Sequence, residues 1–415
     1  MSWRGRPDSL RRGRPGTGNR PGAAMEFEYW WLIALPLFFG LGWIAARVDI
    51  RTLVTESRAL PESYFRGINF LVNEQQDKAI EAFTEVVKVD PQTVELHFAL
   101  GSLFRRRGEV ERAIRMHQAL VERADLATGQ RLDAIYELAQ DYLKAGLLDR
   151  AEELFRRLEG TPREDAASQA LLEIYEQERE WERAIETARR AEERTGRSFQ
   201  MDIAHYCCEL AANELAHARP AQARELLGRA LASHRKSVRA SILLGDIERA
   251  DGQVEAAIEA WKRIESQNPA YLSMVADRLL EAYRSIEKPE VGLSLLQYYL
   301  ANHPSLDLLA VVFRETMARQ GAADAHRLVA DEVRRNPTLN GLARLLEARI
   351  ALAADDERAE FELVRDIVQQ HSRTLAMYLC DQCGFRARQF YWHCPACRGW
   401  ETYAPRRTEE RELSA

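Results

Sequence analysis

The stretch Tyr64-Phe-Arg-Gly-Ile-Asn-Phe-Leu-Val-Asn-Glu-Gln-Gln-Asp-Lys-Ala-Ile-Glu-Ala-Phe83 decides the fold. Its small residues, Gly67 and Ala79, recur one period on as Gly101 and Ala113, and Ala223 and Ala257 keep the same distance. A period near 34 marks a helix pair repeated along the chain. Gly67, at position 8 of the first helix, and Ala79, at position 20 of the pair, are expected to meet where the helices cross. A larger side chain at either place would push the helices apart. Position 24 carries a bulky plug at Phe83, Phe155 and Trp261. Gly108, Gly146 and Gly252 share the phase of the turn inside a pair, and Pro91, Pro269 and Pro337 stand where a helix must stop.

The register slips in the middle of the chain. The step from Ala113 to Ala151 is 38, from Ala151 to Ala184 it is 33, and from Ala184 to Ala223 it is 39. The eight positions gained there also separate Pro91 from Pro269, whose spacing of 178 is five periods of 34 and eight more. The pattern predicts an all-α tetratricopeptide-repeat solenoid over residues 49–375 with about nine helix pairs, the last three degenerate, since the signature fades beyond residue 271. Each pair buries its faces only against its neighbours, which leaves a concave groove lined by the first helices. In the second repeat the groove-facing candidates are Glu95, Phe98, Ser102, Arg105 and Arg106. The run Arg105–Arg107 could hold an acidic peptide, but it reads better as a solvated helix end. The histidines are scattered singly and read as surface or helix-end groups, and Cys207 and Cys208 as core residues.

After the array come Cys380-Asp-Gln-Cys383-Gly384-Phe385 and Cys394-Pro-Ala-Cys397. Each Cys-x-x-Cys turn aims two thiolates at one point, and two such turns place four sulfurs around a tetrahedral ion. Gly384 can take the positive φ a knuckle needs, and Pro395 stiffens the second turn. Residues 376–404 are therefore expected to form a small rubredoxin-like metal-binding domain with Cys380, Cys383, Cys394 and Cys397 as ligands. Four thiolates leave no open position, which favours structural Zn2+. Iron passing single electrons is the alternative and thiol–disulfide exchange a weaker one. His393 abuts Cys394, but four sulfurs already complete the sphere. Tyr378, Phe385, Phe390, Tyr391, Trp392, Trp400 and Tyr403 surround the site, and those not covering sulfur could form a docking face. Residues 405–415 read as a disordered tail.

At the other end, the run Tyr29–Ala46 carries no charge anywhere along its length. As a helix it would be about 27 Å long, near the thickness of a hydrocarbon core. Trp30, Trp31 and Trp43 sit near its ends, Glu26 and Glu28 precede it, and Arg47, Arg51 and Arg58 follow. Residues 25–48 are thus expected to be a single transmembrane helix that leaves the bulk of the chain cytoplasmic. A cleaved signal peptide is the weaker reading, because the aromatic ends suit an anchor and export would oxidise the thiolates. Residues 1–24 hold six Arg against one acid and oppose this orientation, so Met25 is expected to be the true start and the leader a spurious or disordered extension.

Removing that leader from 58 basic and 64 acidic residues leaves 52 and 63, a net of −11. An acidic body argues against nucleic acid as a partner, including for Arg386, Arg388 and Arg398 of the metal module. No phosphate-binding Gly-x-x-x-x-Gly-Lys loop, Gly-x-Ser-x-Gly elbow or His-Glu-x-x-His occurs, so a non-enzyme is expected and no catalytic residue is assigned.

The order of parts, with residues 64–83, Leu103-Phe-Arg-Arg-Arg-Gly-Glu-Val110 and the Cys380–Cys397 module, resembles the lipopolysaccharide assembly protein B family of Gram-negative bacteria. The likeness covers residues 25 to about 403. It implies an inner-membrane-tethered regulator of lipopolysaccharide biosynthesis. Such a regulator works beside a membrane-bound AAA+ protease and promotes degradation of the lipid A pathway deacetylase. A membrane sensor protein opposes it. The resemblance also carries the metal ligands onto Cys380, Cys383, Cys394 and Cys397, but no partner-contact residue onto a named position. A general tetratricopeptide chaperone would want a Lys/Asn/Arg clamp in the groove, and none is identifiable in the first repeats.

Overall fold

The computed structural model describes residues 36–44, 62–89, 93–372 and 377–412. The chain divides into two compact units, residues 1–93 and 94–415.

In the first unit, residues 36–44 are helical (α1), and α2 (Glu62–Val72) pairs with α3 (Gln76–Val89). Only this α1 part of the expected span Tyr29–Ala46 falls among the described residues. Leu37, Phe38, Phe39, Leu41, Trp43 and Ile44 are exposed on it. Among the described residues no helix is long and apolar enough to cross a membrane. The leader 1–24, the rest of the span and Pro91 lie outside the described residues.

The second unit begins with α4 (Val94–Arg107), α5 (Val110–Val121), α6 (Thr128–Lys144), α7 (Leu148–Arg156), α8 (Glu164–Glu178) and α9 (Trp181–Thr195). It continues with α10 (Gln200–Ala216), α11 (Pro220–Ser233), α12 (Val238–Ala250), α13 (Val254–Gln267) and a 3-10 turn, Pro269–Met274. Then come α14 (Ala276–Ser285), α15 (Pro289–Asn302), α16 (Leu306–Arg319), α17 (Ala322–Arg335), α18 (Leu339–Leu352) and α19 (Asp355–Ser372). Successive helices pack as pairs and pairs pack on their neighbours, a tetratricopeptide solenoid. A small module follows: β1 (Tyr378–Leu379), β2 (Arg386–Ala387) and α20 (Thr408–Glu412).

One turn explains the pairing. Glu74, Gly108, Gly146, Arg179, Ala218, Gly252 and Glu287 all take φ between 57° and 86°. The N–H of the residue after each donates to the carbonyl five residues back at 2.8–2.9 Å, from Gln75 to Phe70 through Lys288 to Tyr283. That bond is the Schellman closure, which satisfies the carbonyls a helix end leaves open. Glycine suits the left-handed residue, and the four non-glycine residues adopt it at a cost of about 1 kcal/mol each. The turn residues are spaced 34, 38, 33, 39, 34 and 35 apart, so the register slips lie between turns of one geometry.

The small residue at position 8 lies directly against the plug at position 24. A Cβ on Gly67 would lie 2.4 Å from the Phe83 ring, and one on Gly245 would lie 2.3 Å from Trp261. On Gly101 it would lie 2.3 Å from His117, which holds the plug position of the second repeat. His117 is fully buried, and its Nδ1 meets Asp141 Oδ2 at 2.5 Å. Arg105 bonds the other oxygen of Asp141 at 2.7 Å and also pairs with Glu137. Reading the histidines as surface groups is thus corrected for His117, and Arg105 is an inter-repeat tie rather than a solvated helix end. Cys207 and Cys208 are buried in the core.

Candidate metal centre

β1 and β2 pair antiparallel, with Tyr378 opposite Ala387 and Leu379 opposite Arg386, and the first Cys-x-x-Cys turn lies between them. Within it Gly384 N–H donates to Cys380 O at 3.0 Å and Cys380 N–H to Phe385 O at 2.9 Å. The second turn repeats the pattern: Arg398 N–H donates to Cys394 O at 2.8 Å and Cys394 N–H to Gly399 O at 3.0 Å. Gly384 takes the expected positive φ, 73°, while Arg398 adopts 58° in the equivalent place without being glycine.

The two turns bring the sulfurs of Cys380, Cys383, Cys394 and Cys397 within 4.8 Å of one another. Cys380 and Cys397 stand 3.6 Å apart and Cys383 and Cys394 3.7 Å apart. A tetrahedron with metal–sulfur bonds near 2.3 Å has edges of about 3.8 Å, so the cluster fits an S4 ion. Cys380 and Cys394 are buried, Cys397 is half-buried and Cys383 is exposed. Burial opposes the Cys380 thiolate, but its hydrogen bond with Thr402 and the backbone N–H groups of Cys383 and Gln382 prevail, drawing it down to about 6. The Phe385 N–H favours a Cys383 thiolate, yet local desolvation and three neighbouring sulfurs push that exposed thiol up to about 12. Burial and two of the other sulfurs, on Cys380 and Cys397, also raise Cys394. Four thiolates at this spacing would require a cation, which a bound metal ion would supply. No groove residue and no histidine joins the cluster. His393 instead bonds Arg398 O at 2.7 Å.

The aromatic residues divide into two sets. Tyr378, Phe385, Tyr391 and Tyr403 pack around the cysteines, and the Tyr403 hydroxyl donates to Tyr378 O at 3.1 Å. Trp392 and Trp400 pack into the solenoid's core, and Phe390 bridges the two sets, touching both the cysteine cluster and the solenoid. Trp400 is sandwiched between His205 of α10 at 4.6 Å and His393 at 4.3 Å, and its Nε1–H donates to Glu176 of α8 at 3.1 Å. Trp392 stacks on Tyr271 at 5.2 Å with the rings nearly parallel. Arg398 pairs with Glu173 of α8. His205, 1% exposed, bonds Glu401 through Nε2 at 3.0 Å, which corrects the surface reading for this histidine too. Burial lowers its pKa, and its Nδ1 has no partner.

Residues 405–412 pack on the solenoid where a disordered tail over 405–415 was expected, and 413–415 lie outside the described residues. Arg407 binds both oxygens of Asp307 at 2.9–3.1 Å, and the Tyr378 hydroxyl reaches the same carboxylate at 2.8 Å. Glu410 accepts the Leu306 N–H at 2.6 Å, while Glu409 accepts the N–H groups of Leu339 and Asn340. These carboxylates cap the N-termini of α16 and α18, where open donors and the helix dipole favour negative charge. Ser305 begins α16 without a side-chain cap of its own. A Thr-Glu-Glu run reads as a solvated tail until the receiving helix ends are placed beside it, so no sequence signal marks this site.

The comparisons agree with this division. The family model of a rubredoxin metal binding domain matches residues 378–405, and that of the tetratricopeptide repeat matches 66–127 and 208–271. The lipopolysaccharide assembly protein B of Escherichia coli (strain K12) is 36% identical over 376 residues, covering 90% of this chain and 97% of that one. The protein of the same name from Haemophilus influenzae is 29% identical over 392 residues, covering 91% and 98%. A crystal structure of MamA protein shares 19% identity over 42% of this chain and 91% of that one at a TM-score of 0.32, too distant to place a site.

Proposed function

The chain belongs to the lipopolysaccharide assembly protein B family, and from that premise we propose that it is a non-catalytic, inner-membrane-tethered adaptor in lipopolysaccharide biosynthesis. It promotes degradation of the lipid A pathway deacetylase by a membrane-bound AAA+ protease, under the control of a membrane sensor protein. The observation that carries this reading is the seating of the metal module across α8, α10, α12 and α16. A module fixed to the repeats by these contacts suits a rigid scaffold for holding other proteins rather than a site for transforming a small molecule. The apolar run Tyr29–Ala46 supplies the anchor, with the bulk of the chain cytoplasmic. Confinement to the protease's membrane raises local concentration without new contacts.

Cys380, Cys383, Cys394 and Cys397 would hold Zn2+, which with four thiolates has no open position and stabilises the fold of the module. Zinc leaves the purified protein colourless, whereas iron would give a thiolate-to-iron absorption band, so metal analysis with a spectrum separates the two. Membrane co-purification of wild type and Cys394→Ser tests the adaptor reading. Protease and deacetylase should accompany the wild type and be lost or depleted with the variant. Their absence from the wild-type preparation would reject it. A chain lacking residues 1–47 should fold but fail to regulate, and full regulation by it would reject tethering.

A further inference from the structure

The first helix pair carries an exposed apolar face. On α2, Phe65, Ile68, Leu71 and Val72 are 60%, 39%, 40% and 74% exposed. Ile68 lies three residues from Leu71 and Phe65 and four from Val72, so the four project from one side of the helix. Gly67 lies about 110° round the helix from the centre of this face, buried against the Phe83 ring of α3. A terminal helix of a repeat array ordinarily turns a polar face outward. This one turns aliphatic side chains outward, with Arg66 and Asn69 exposed beside them.

Its place in the chain identifies what covers it. The apolar run ends at Ala46 and α2 begins at Glu62. The stretch between them reaches at most about 50 Å when fully extended, so a chain anchored by that run keeps α2 within that distance of the bilayer and able to touch it. The joining residues include Arg47, Arg51 and Arg58 against Asp49 and Glu56, a balance that suits anionic headgroups. We propose that the Ile68–Leu71–Val72 face of α2 seats in the interface of an anionic phospholipid bilayer and holds the first helix pair against the membrane. The proposal rests on the reading of Tyr29–Ala46 as the span. An amphipathic face this short binds lipid weakly by itself, and the tether makes a weak contact sufficient.

The test uses the full chain in vesicles of phosphatidylethanolamine and phosphatidylglycerol, with p-benzoylphenylalanine placed singly at positions 43, 68, 72 and 81. The replaced side chains are exposed, so the core is left intact. Photolysis followed by mass spectrometry should find lipid adducts at 68 and 72 about tenfold above position 81 on α3, and abundant adducts at 43. Adducts at 43 with none above background at 68 and 72 would overturn the proposal and leave the span standing. No adduct at any position would overturn the span reading and the proposal with it. Cross-links from 68 and 72 to a second copy of the chain, in place of lipid, would also overturn it.

Discussion

Replacing Trp400 with Ala should detach the metal module from the solenoid without unfolding the helices beneath it. Trp400 is 5% exposed, lies between two imidazole rings and donates to Glu176. Truncating a buried Trp removes about 3–5 kcal/mol of packing. It also leaves Glu176 with the Tyr206 hydroxyl at 2.7 Å but without the indole N–H. Leu306 and Leu339 report the outcome, because their amide protons are held by Glu410 and Glu409 of the docked segment. A local opening made easier by about 3–5 kcal/mol speeds exchange at these amides by roughly a hundred- to several-thousand-fold. Trp400→Phe keeps a ring but not the donor, so it should lose only about 1–3 kcal/mol. Hydrogen exchange read by mass spectrometry at residues 306 and 339–340, with α8, α10 and α12 as internal references, measures both. Unchanged exchange at the reporter amides would refute the reasoning, as would loss of protection in the reference helices to the same degree.

Other perturbations test separate parts of the account. Asp141→Ala should lower unfolding free energy by about 3–5 kcal/mol in denaturant titration, since it strands Arg105 beside a buried His117. His205 has its pKa lowered by burial, so it contributes stability that is full above about pH 6.5 and lost as pH falls from there toward the depressed folded value. Asp202, raised by burial to about 6, acts oppositely, losing its contribution as pH rises from about 4 toward that value. Exchange at Leu306 should therefore quicken below pH 6.5 beyond its intrinsic pH dependence, and His205→Gln should remove that acid limb. At the left-handed turns, Gly252→Ala should cost about 1 kcal/mol, while Ala218→Gly should be neutral or stabilising by up to about 1 kcal/mol. Thermal melts of the two variants would check the contrast.

The contacts legible in the sequence are those that recur at short separation. The recurrence of small residues and plugs marked their positions, while the structure added that Gly67 faces Phe83 and Gly245 faces Trp261. His117 escaped because the plug pattern looks for bulk, and a histidine there reads as polar surface until Asp141 of the next pair is beside it. The left-handed turns were legible only where glycine marks them. At Arg179, Ala218 and Glu287 the neighbouring helices impose the backbone against local preference.

By itself, then, the sequence determined the repeat and the sulfur cluster. A solenoid is held by contacts between neighbours, and a knuckle is written into a few consecutive residues. Only the tertiary structure decided where the module rests. His205 meets Glu401 across 196 residues and Arg398 meets Glu173 across 225, and no periodicity spans such distances. Each partner, taken alone, is a side chain that water would solvate equally well. What joins them is that the helices and the module present complementary side chains once both have folded.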